Sequence, residues 1–381
     1  MGIYAQLKTK IDDIRFLRAN SEDVDIGFLN KVRMWSRGFV SEAYLLHSFC
    51  DNRMDDYVTD LVRLRKACRF NGYFAIMLYD KLYLSKMLSG FVENLPRVYG
   101  LIRNRQWYRM DGGADETLES VADLCRDKGA VVIKPIVGSR GEGVCIVHTE
   151  GDAYILNRQA LSRKQFVARL SGMDGYLATE FVHQHPYAAA IYPDATNTVR
   201  ILTLWDDEAD APFVAAAVHR FGTRHSAPLD NWTTGGLSAR VDVESGRIGR
   251  AVSYPIAGQT ETSSVHPETR QPIDGTCVPG WDAIKNRTLA MARTLPFLPY
   301  IGWDIVVTTA GIKILEGNNC PGINLIQVHT PLLKDARIRR FYERRLAAID
   351  GNGNGNGNGN GNGNGHGHGG IKRNYKLPIR I

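Results

Sequence analysis

The chain has 381 residues, 44% of them apolar and 23% charged, with a formal net charge of +7. That composition allows one large or two ordinary globular domains and excludes a fibrous or intrinsically disordered chain. Residues 1–110 carry 18 Lys and Arg against 12 Asp and Glu, residues 111–331 carry 19 against 25, and residues 332–381 carry 10 against 3; an acidic centre with basic ends argues against a nucleic-acid binder, which would show one dense basic face with interleaved aromatics.

The start, Met1 to Arg18, mixes charges early and lacks an apolar signal core, and no run of eighteen apolar residues follows, so a cytoplasmic protein without a transmembrane segment is expected. Residues 3–70 read as helices, with Ile11, Ile14 and Leu17 and then Val58, Leu61, Val62 and Leu64 recurring at helical spacing. Asn71-Gly72 breaks that pattern, and a helix is expected from Asp80, as its cap, through Leu88. Glu116 to Lys128 is a further helix, ended by Gly129. From 130 the period changes. Val131–Ile133 and Val144–Val147 are β-branched runs joined by a Gly-rich turn, a hairpin signature. Phe166–Leu170 reads as helix and Tyr176–Val182 as strand. Strand pairs follow at Thr198–Trp205 with Phe213–Arg220, and at Ala239–Val243 with Arg247–Ala251. Trp281–Leu295 is a helix, Trp303–Thr308 and Ile312–Leu315 a last hairpin, and Leu332–Ile349 a basic terminal helix. The basic ends are solvated helices, or contacts for an acidic partner or a membrane surface. Residues 351–365 alternate Gly and Asn and are followed by a Gly-His run, a composition that buries no apolar surface and reads as a linker. The six cysteines, Cys50, Cys68, Cys125, Cys145, Cys277 and Cys320, form no Cys-x-x-Cys pair and are expected to be reduced thiols.

Five segments carry chemistry. Lys134 follows Val131-Val132-Ile133 and precedes a flap with Gly138, Gly141 and Gly143, where bare backbone amides can approach phosphate oxygens. Glu180-Phe181-Val182-His183 ends a strand, where backbone groups can meet an adenine edge and Glu180 can accept from its amine. Arg200 interrupts an apolar strand, a costly placement unless the guanidinium pairs with a phosphate oxygen or with a buried carboxylate. Asp230-Asn231-Trp232-Thr233-Thr234-Gly235-Gly236 is a polar loop suited to an anion or substrate. Asp304, Glu316 and Asn318 fall on two strands joined by a tight turn, with Glu316 and Asn318 on one face. Two carboxylates and an amide oxygen suit one or two Mg²⁺ ions bridging nucleotide phosphates.

Taken in order, Val-Ile-Lys-Pro with Gly-Ser-Arg-Gly-Glu-Gly-Val, Glu-Phe-Val, Asn-Thr-Val-Arg-Ile, Asp-Asn-x-x-x-Gly-Gly and Gly-Trp-Asp with Glu-Gly-Asn-Asn-x-Pro-Gly resemble the ATP-grasp superfamily from about Asp80 to Leu333. The nearest likeness is to the sugar-transfer-associated branch related to α-L-glutamate ligases. The resemblance implies an α+β fold, two subdomains gripping ATP between them. It gives residues 80–175 as the flap-bearing subdomain and 176–349 as the subdomain with the Mg²⁺ site. Residues 1–79 form a helical N-terminal region where many relatives carry a βαβ unit, 350–370 a linker and 371–381 a basic tail. It implies nucleotide contacts from Lys81, Lys134, Gly138, Ser139, Arg140, Gly141, Gly143, Glu180, Phe181, Val182 and His185, with Lys81 fitting the first lysine better than Lys86. It implies Mg²⁺ ligands at Asp304, Glu316 and Asn318, and catalytic roles for Lys134, Arg200 and Asn231. The expected reaction joins a small-molecule carboxylate to an amine through an acyl phosphate. A kinase using His219 or His225 as base, and a nucleotide-binding scaffold, remain as alternatives. Substrate identity and oligomeric state are left open.

Overall fold

The structure, a computed structural model, describes residues 3–113, 116–138, 141–255 and 259–353. Flap residues Ser139 and Arg140, nearly all of the Gly-Asn repeat and the basic tail lie outside the described residues. Among the described residues no helix is long and apolar enough to cross a membrane.

The N-terminal region is helical but broken into short pieces: α1 (Ile3–Ala19), α2 (Phe28–Ser36), α3 (Ala43–Leu46), α4 (Asp60–Arg65), α5 (Ile76–Tyr79) and α6 (Lys81–Met87). Gly27 and Gly38, at φ 75° and 87°, flank α2 in a backbone region that other residues avoid, which ends the helical run that side-chain periodicity alone suggests. Asp80 caps α6 as expected, its Oδ1 accepting from the amides of Leu82 and Tyr83 at 2.8 and 2.9 Å.

The first sheet contains β1 (Val98–Arg103), β2 (Gln106–Arg109), β3 (Ala130–Pro135), β4 (Cys145–Glu150), β5 (Ala153–Leu156), β6 (Gln159–Leu161) and β7 (Tyr176–Glu180), in the order β2-β1-β7-β3-β4-β5-β6. Two helices, α7 (Leu118–Lys128) and α8 (Arg163–Leu170), cover one face, packing against Val131, Ile133, Val147 and Ala178. Strand alternation then turns Val132 and Lys134 to the other face. The β1–β2 and β5–β6 hairpins are additions to the sequence expectation.

After α9 (Pro186–Ile191) the second sheet is built from β8 (Val199–Asp206), β9 (Ala211–Phe221), β10 (Leu237–Val241), β11 (Ile248–Ser253), β12 (Thr262–Ser263), β13 (Tyr300–Thr308) and β14 (Gly311–Asn318), in the order β12-β11-β10-β9-β8-β13-β14. Every pairing in both sheets is antiparallel. One face packs on α10 (Trp281–Arg293) and the α5–α6 segment. The other packs on residues from α3 and α4, α11 (Asn324–Gln327) and α12 (Ala336–Gly353). With both faces covered, β13 is buried continuously from Tyr300 through Val307, and Asp304 is the one charged residue in that run.

The terminal helix starts at Ala336, not Leu332: Leu332–Lys334 form a separate turn, and Asp335 Oδ1 accepts from the amides of Arg337 and Ile338. Its basic charge is largely answered inside the fold. Arg345 pairs with Asp207 at 2.7 Å, Arg339 with Asp56 at 3.1 Å, Arg344 with Glu208 and Arg337 with Asp206. The acidic β8–β9 turn is therefore a partner of this helix, which leaves less of the C-terminal charge for an external one.

The expectation of reduced cysteines is corrected at one pair. Cys68 and Cys320, 252 residues apart in sequence, are disulfide-bonded with Cα atoms 5.1 Å apart. Spacing rules could not find this pair because the fold, not the local sequence, brings it together. Cys50, Cys125, Cys145 and Cys277 are free thiols.

Candidate nucleotide site between the sheets

The crevice between the sheets is lined by Lys81, Leu84, Leu95, Val98, Lys134, Leu177, Thr179, Ile314 and Leu315. Packing of α5 and α6 on β14 fixes Lys81 here. Gly317 makes that approach possible, because a Cβ on it would lie 2.9 Å from Leu78 and 3.3 Å from Leu84. The Lys81 amide donates to Ile136 O, and its ammonium donates to Gly138 O at 3.1 Å. The Asp-Lys segment is thus docked on the stem of the flap. At the flap tip, Gly141 has φ 75°, and a Cβ there would fall 2.2 Å from Leu229 of the second sheet's long loop. Gly141 therefore lies against that loop.

Two cations and a carboxylate converge. Burial and the nearby Lys81 lower the Lys134 pKa to about 8, while Glu316 opposes that shift. Glu316 is pushed above the usual carboxylate range by burial and by Asp304. Lys81 and Lys134 from one side and Glu316 from the other therefore share one electrostatic environment. Two lysines facing Glu316, a buried carboxylate with its pKa raised, form an environment that a phosphate chain carrying a divalent metal would balance.

Asp304 and Glu316 lie directly opposite in the β13–β14 ladder. The register shifts there: Asp304 pairs with Glu316 but Ile305 pairs with Ile314, so Leu315 is the extra residue of a bulge. The bulge lets adjacent Ile314 and Leu315 both line the crevice and re-aims Glu316. Asn318 lies two residues on, its Nδ2 donating to Gly302 O at 3.2 Å, which orients the amide. Among the described residues no three His, Cys, Asp or Glu side chains cluster as a metal site. The donor set that fits a hard cation is the mixed one, Glu316 and Asp304 with the Asn318 amide oxygen.

Arg200 takes the second of its two expected pairings. It is 5% exposed, and Asp304, 3% exposed, faces it. Arg200 Nη2 donates to Asp304 Oδ2 at 2.8 Å, Nε donates to Oδ1, and Nη1 donates to Pro321 O. Arg220 Nη2 reaches the same Asp304 Oδ2 at 2.9 Å and Asp230 Oδ1 at 3.1 Å. Thr198 donates its amide and hydroxyl to Asp230 Oδ2 at 2.8 and 2.5 Å. The two guanidinium groups hold Asp304 well below the usual carboxylate range, against burial that acts the other way. Arg220 was not singled out from sequence, and Asp230 was named only as the start of the polar loop, not as a partner of a buried cation. The signal for Arg220 was the one used for Arg200, a cation inside an apolar strand, Val218-His219-Arg220-Phe221.

The remaining expected residues scatter more widely. Glu180 Oε2 accepts from the Arg97 amide at 3.0 Å and from Lys313 at 3.3 Å, so it is already engaged at the end of β7. That strand ends at Glu180, and Phe181 and Val182 lie in the connection that follows. His185 caps α9 with its ring and lines a separate cleft of about 620 Å³ with Asn94, Arg287 and Thr308. Asn231 Oδ1 accepts from the Thr233 amide and hydroxyl at 3.2 and 3.1 Å, shaping its own loop. His219 is buried, stacked on Phe221 with ring centroids 4.1 Å apart and bonded to the Tyr187 hydroxyl at 2.8 Å. Burial lowers its pKa to about 3.

Comparison with known proteins bears on the family and the fold. The family model described as sugar-transfer associated ATP-grasp matches residues 68–338. A search of curated protein sequences finds no match. Solved structures similar to this chain include a D-alanine-D-alanine ligase from Coxiella burnetii (11% identity, 72% of this chain and 60% of that one, TM-score 0.36). Others are D-alanyl-alanine synthetase A from Vibrio cholerae (10%, 73% and 66%, TM-score 0.42) and N5-carboxyaminoimidazole ribonucleotide synthetase from Thermotoga maritima (12%, 65% and 43%, TM-score 0.31). The chain spans about 60% of the length of the Coxiella enzyme, and at these scores the family match alone carries weight. With that match covering well over half its residues, the chain belongs to the sugar-transfer-associated ATP-grasp family and has the α+β ATP-grasp fold.

Proposed function

We propose that this protein is an ATP- and Mg²⁺-dependent ligase that joins a small-molecule carboxylate to an amine through an acyl phosphate. The observation that carries the reading is that Lys81 and Lys134 line one crevice, Lys81 bonded to Gly138 O, with Glu316 near enough to act on the charge of both. Lys81 and Lys134 would bind the phosphate chain and stabilise charge on the transferring group. Asp304, Glu316 and Asn318 would hold Mg²⁺, which supplies charge neutralisation of the phosphates when bound. In the structure Asp304 is saturated by two guanidinium groups. Its use as a ligand therefore requires Arg200 to turn away, and that movement would direct Arg200 toward the phosphoryl oxygens.

In the reaction the substrate carboxylate attacks the γ-phosphorus of ATP, ADP leaves, and the amine then displaces phosphate from the acyl phosphate. No protein nucleophile is needed. The flap, already near Leu229, would exclude the water that hydrolyses such intermediates. Phosphoryl transfer to a hydroxyl with His219 as base is less well supported, because His219 is buried, neutral and bonded to Tyr187. The test is product analysis with ATP, Mg²⁺ and pools of carboxylates and amines. ADP and free phosphate that appear only when both pools are present support the ligase. A stable phosphorylated product would replace it with a kinase, and bound nucleotide without turnover would replace it with a scaffold.

A further inference from the structure

We infer that Cys68 and Cys320 form a thiol-sensitive latch on the loop that follows the proposed cation site. Cys320 directly follows Asn318-Asn319 at the end of β14 and is exposed, while Cys68 belongs to the N-terminal region. The disulfide ties the two together beside a set of noncovalent contacts. Asn319 Nδ2 donates to Cys68 O at 2.7 Å and to the Tyr79 hydroxyl at 2.9 Å, and Asn71 Nδ2 donates to Asn319 Oδ1 at 2.8 Å. The next residue, Pro321, gives its carbonyl to Arg200 Nη1, and Arg200 is the partner of Asp304. One loop of four residues therefore joins a solvent-accessible sulfur to the buried Arg200–Asp304 pair.

The chemistry is thiol–disulfide exchange. A thiolate of a dithiol reductant attacks the exposed Cys320 sulfur, the Cys68 thiolate leaves and takes a proton, and the reductant's second thiolate releases Cys320 and departs as its own disulfide. Exchange with a small-molecule disulfide runs the sequence backwards and closes the latch. Opening it removes a covalent closure between segments 252 residues apart, leaving the loop to the Asn71, Asn319 and Tyr79 contacts. The loop then samples more conformations, and the Pro321 hold on Arg200 weakens with it. The consequence for nucleotide binding rests on the function proposed above, whereas the latch itself does not.

The test uses the full chain after incubation with oxidised or reduced dithiothreitol. Alkylation under denaturing conditions should label four of the six cysteines in the oxidised protein and all six in the reduced one. Hydrogen exchange of the peptide containing residues 319–328 should accelerate on reduction, and, because Arg200 must leave Asp304 before the cation binds, Mg²⁺-ADP should bind the reduced form about fivefold or more tightly. Cys68→Ser should match the reduced wild type in both redox buffers, the reduced wild type itself serving as the folded reference. Six labelled cysteines in both conditions, or identical exchange of the 319–328 peptide in both forms, would overturn the latch. Altered exchange with no ADP binding in either form would uphold the latch and sink the nucleotide reading instead.

Discussion

Lys134→Met replaces an ammonium with an apolar group of similar reach, and the structure sets both the sign and the size of the effect. In the folded chain Lys134 has a pKa of about 8 against 10.5 for a solvated lysine, because the crevice walls desolvate it and Lys81 repels it. A depression of that size corresponds to roughly 3 kcal/mol. The folded state binds this proton less tightly than the unfolded state. The cost is therefore fully present below about pH 8 and disappears as pH rises toward 10.5. Urea denaturation at a series of pH values should show the variant more stable than wild type by up to about 3 kcal/mol at neutral pH, with the gap closing in alkali. The same variant should lose Mg²⁺-ADP binding, a trade of activity for stability expected where a binding site holds unbalanced charge. For wild type, bound phosphate favours the ammonium, so ADP affinity should fall by about tenfold per unit above pH 8 until the complexed lysine itself titrates. A variant less stable than wild type at neutral pH, or a stability gap that does not change with pH, would refute this account of Lys134.

Glu42, buried with the Glu22 amide at 3.0 Å and the Tyr254 hydroxyl at 3.4 Å, has its pKa raised to about 7 by burial. Its stabilising contribution is present below pH 4.5 and lost by about pH 7. Glu42→Gln should raise thermal stability at pH 8, an advantage that shrinks as pH falls toward 4.5. Arg220→Met removes one guanidinium from both Asp304 and Asp230 and should destabilise the protein by about 3–5 kcal/mol in chemical denaturation, far more than loss of an exposed pair. Gly141→Ala, strained at φ 75° and forced against Leu229, should keep ADP from protecting the flap against limited proteolysis while leaving global unfolding nearly unchanged.

The parts of the fold that were legible in the sequence are those whose signals are local. The Asp80 cap, the β3–β4 hairpin around its glycine flap and the β13–β14 pair around Ala310-Gly311 each state their geometry within about a dozen residues. The β1–β2 and β5–β6 hairpins escaped because their turns, Asn104-Arg105 and Asn157-Arg158, place an arginine at φ 60° and 75° where Asn-Gly is the usual sign. The site divides the same way. Lys134, Glu316 and Asp304 were named because each breaks an apolar pattern or sits beside a glycine motif, and Lys81 because the family resemblance implies a lysine at the Asp-Lys start of a helix. The Thr198–Asp230–Arg220–Asp304 network and the Cys68–Cys320 bond join positions up to 252 residues apart, and no local rule reports which distant partner a buried charge or thiol will meet. Arg200 shows the limit most clearly: its burial was readable, but whether it faced a phosphate or a carboxylate depended on the β8–β13 register that sets it opposite Asp304.

The most direct test of the account is a calorimetric titration of ADP into wild type and Glu316→Gln, each with Mg²⁺ and with a chelator. The account predicts that wild type binds tightly only with Mg²⁺, and that the variant binds weakly and indifferently to the metal. A variant that keeps the full Mg²⁺ dependence of wild type would contradict the assignment of the cation to the β13–β14 strand pair.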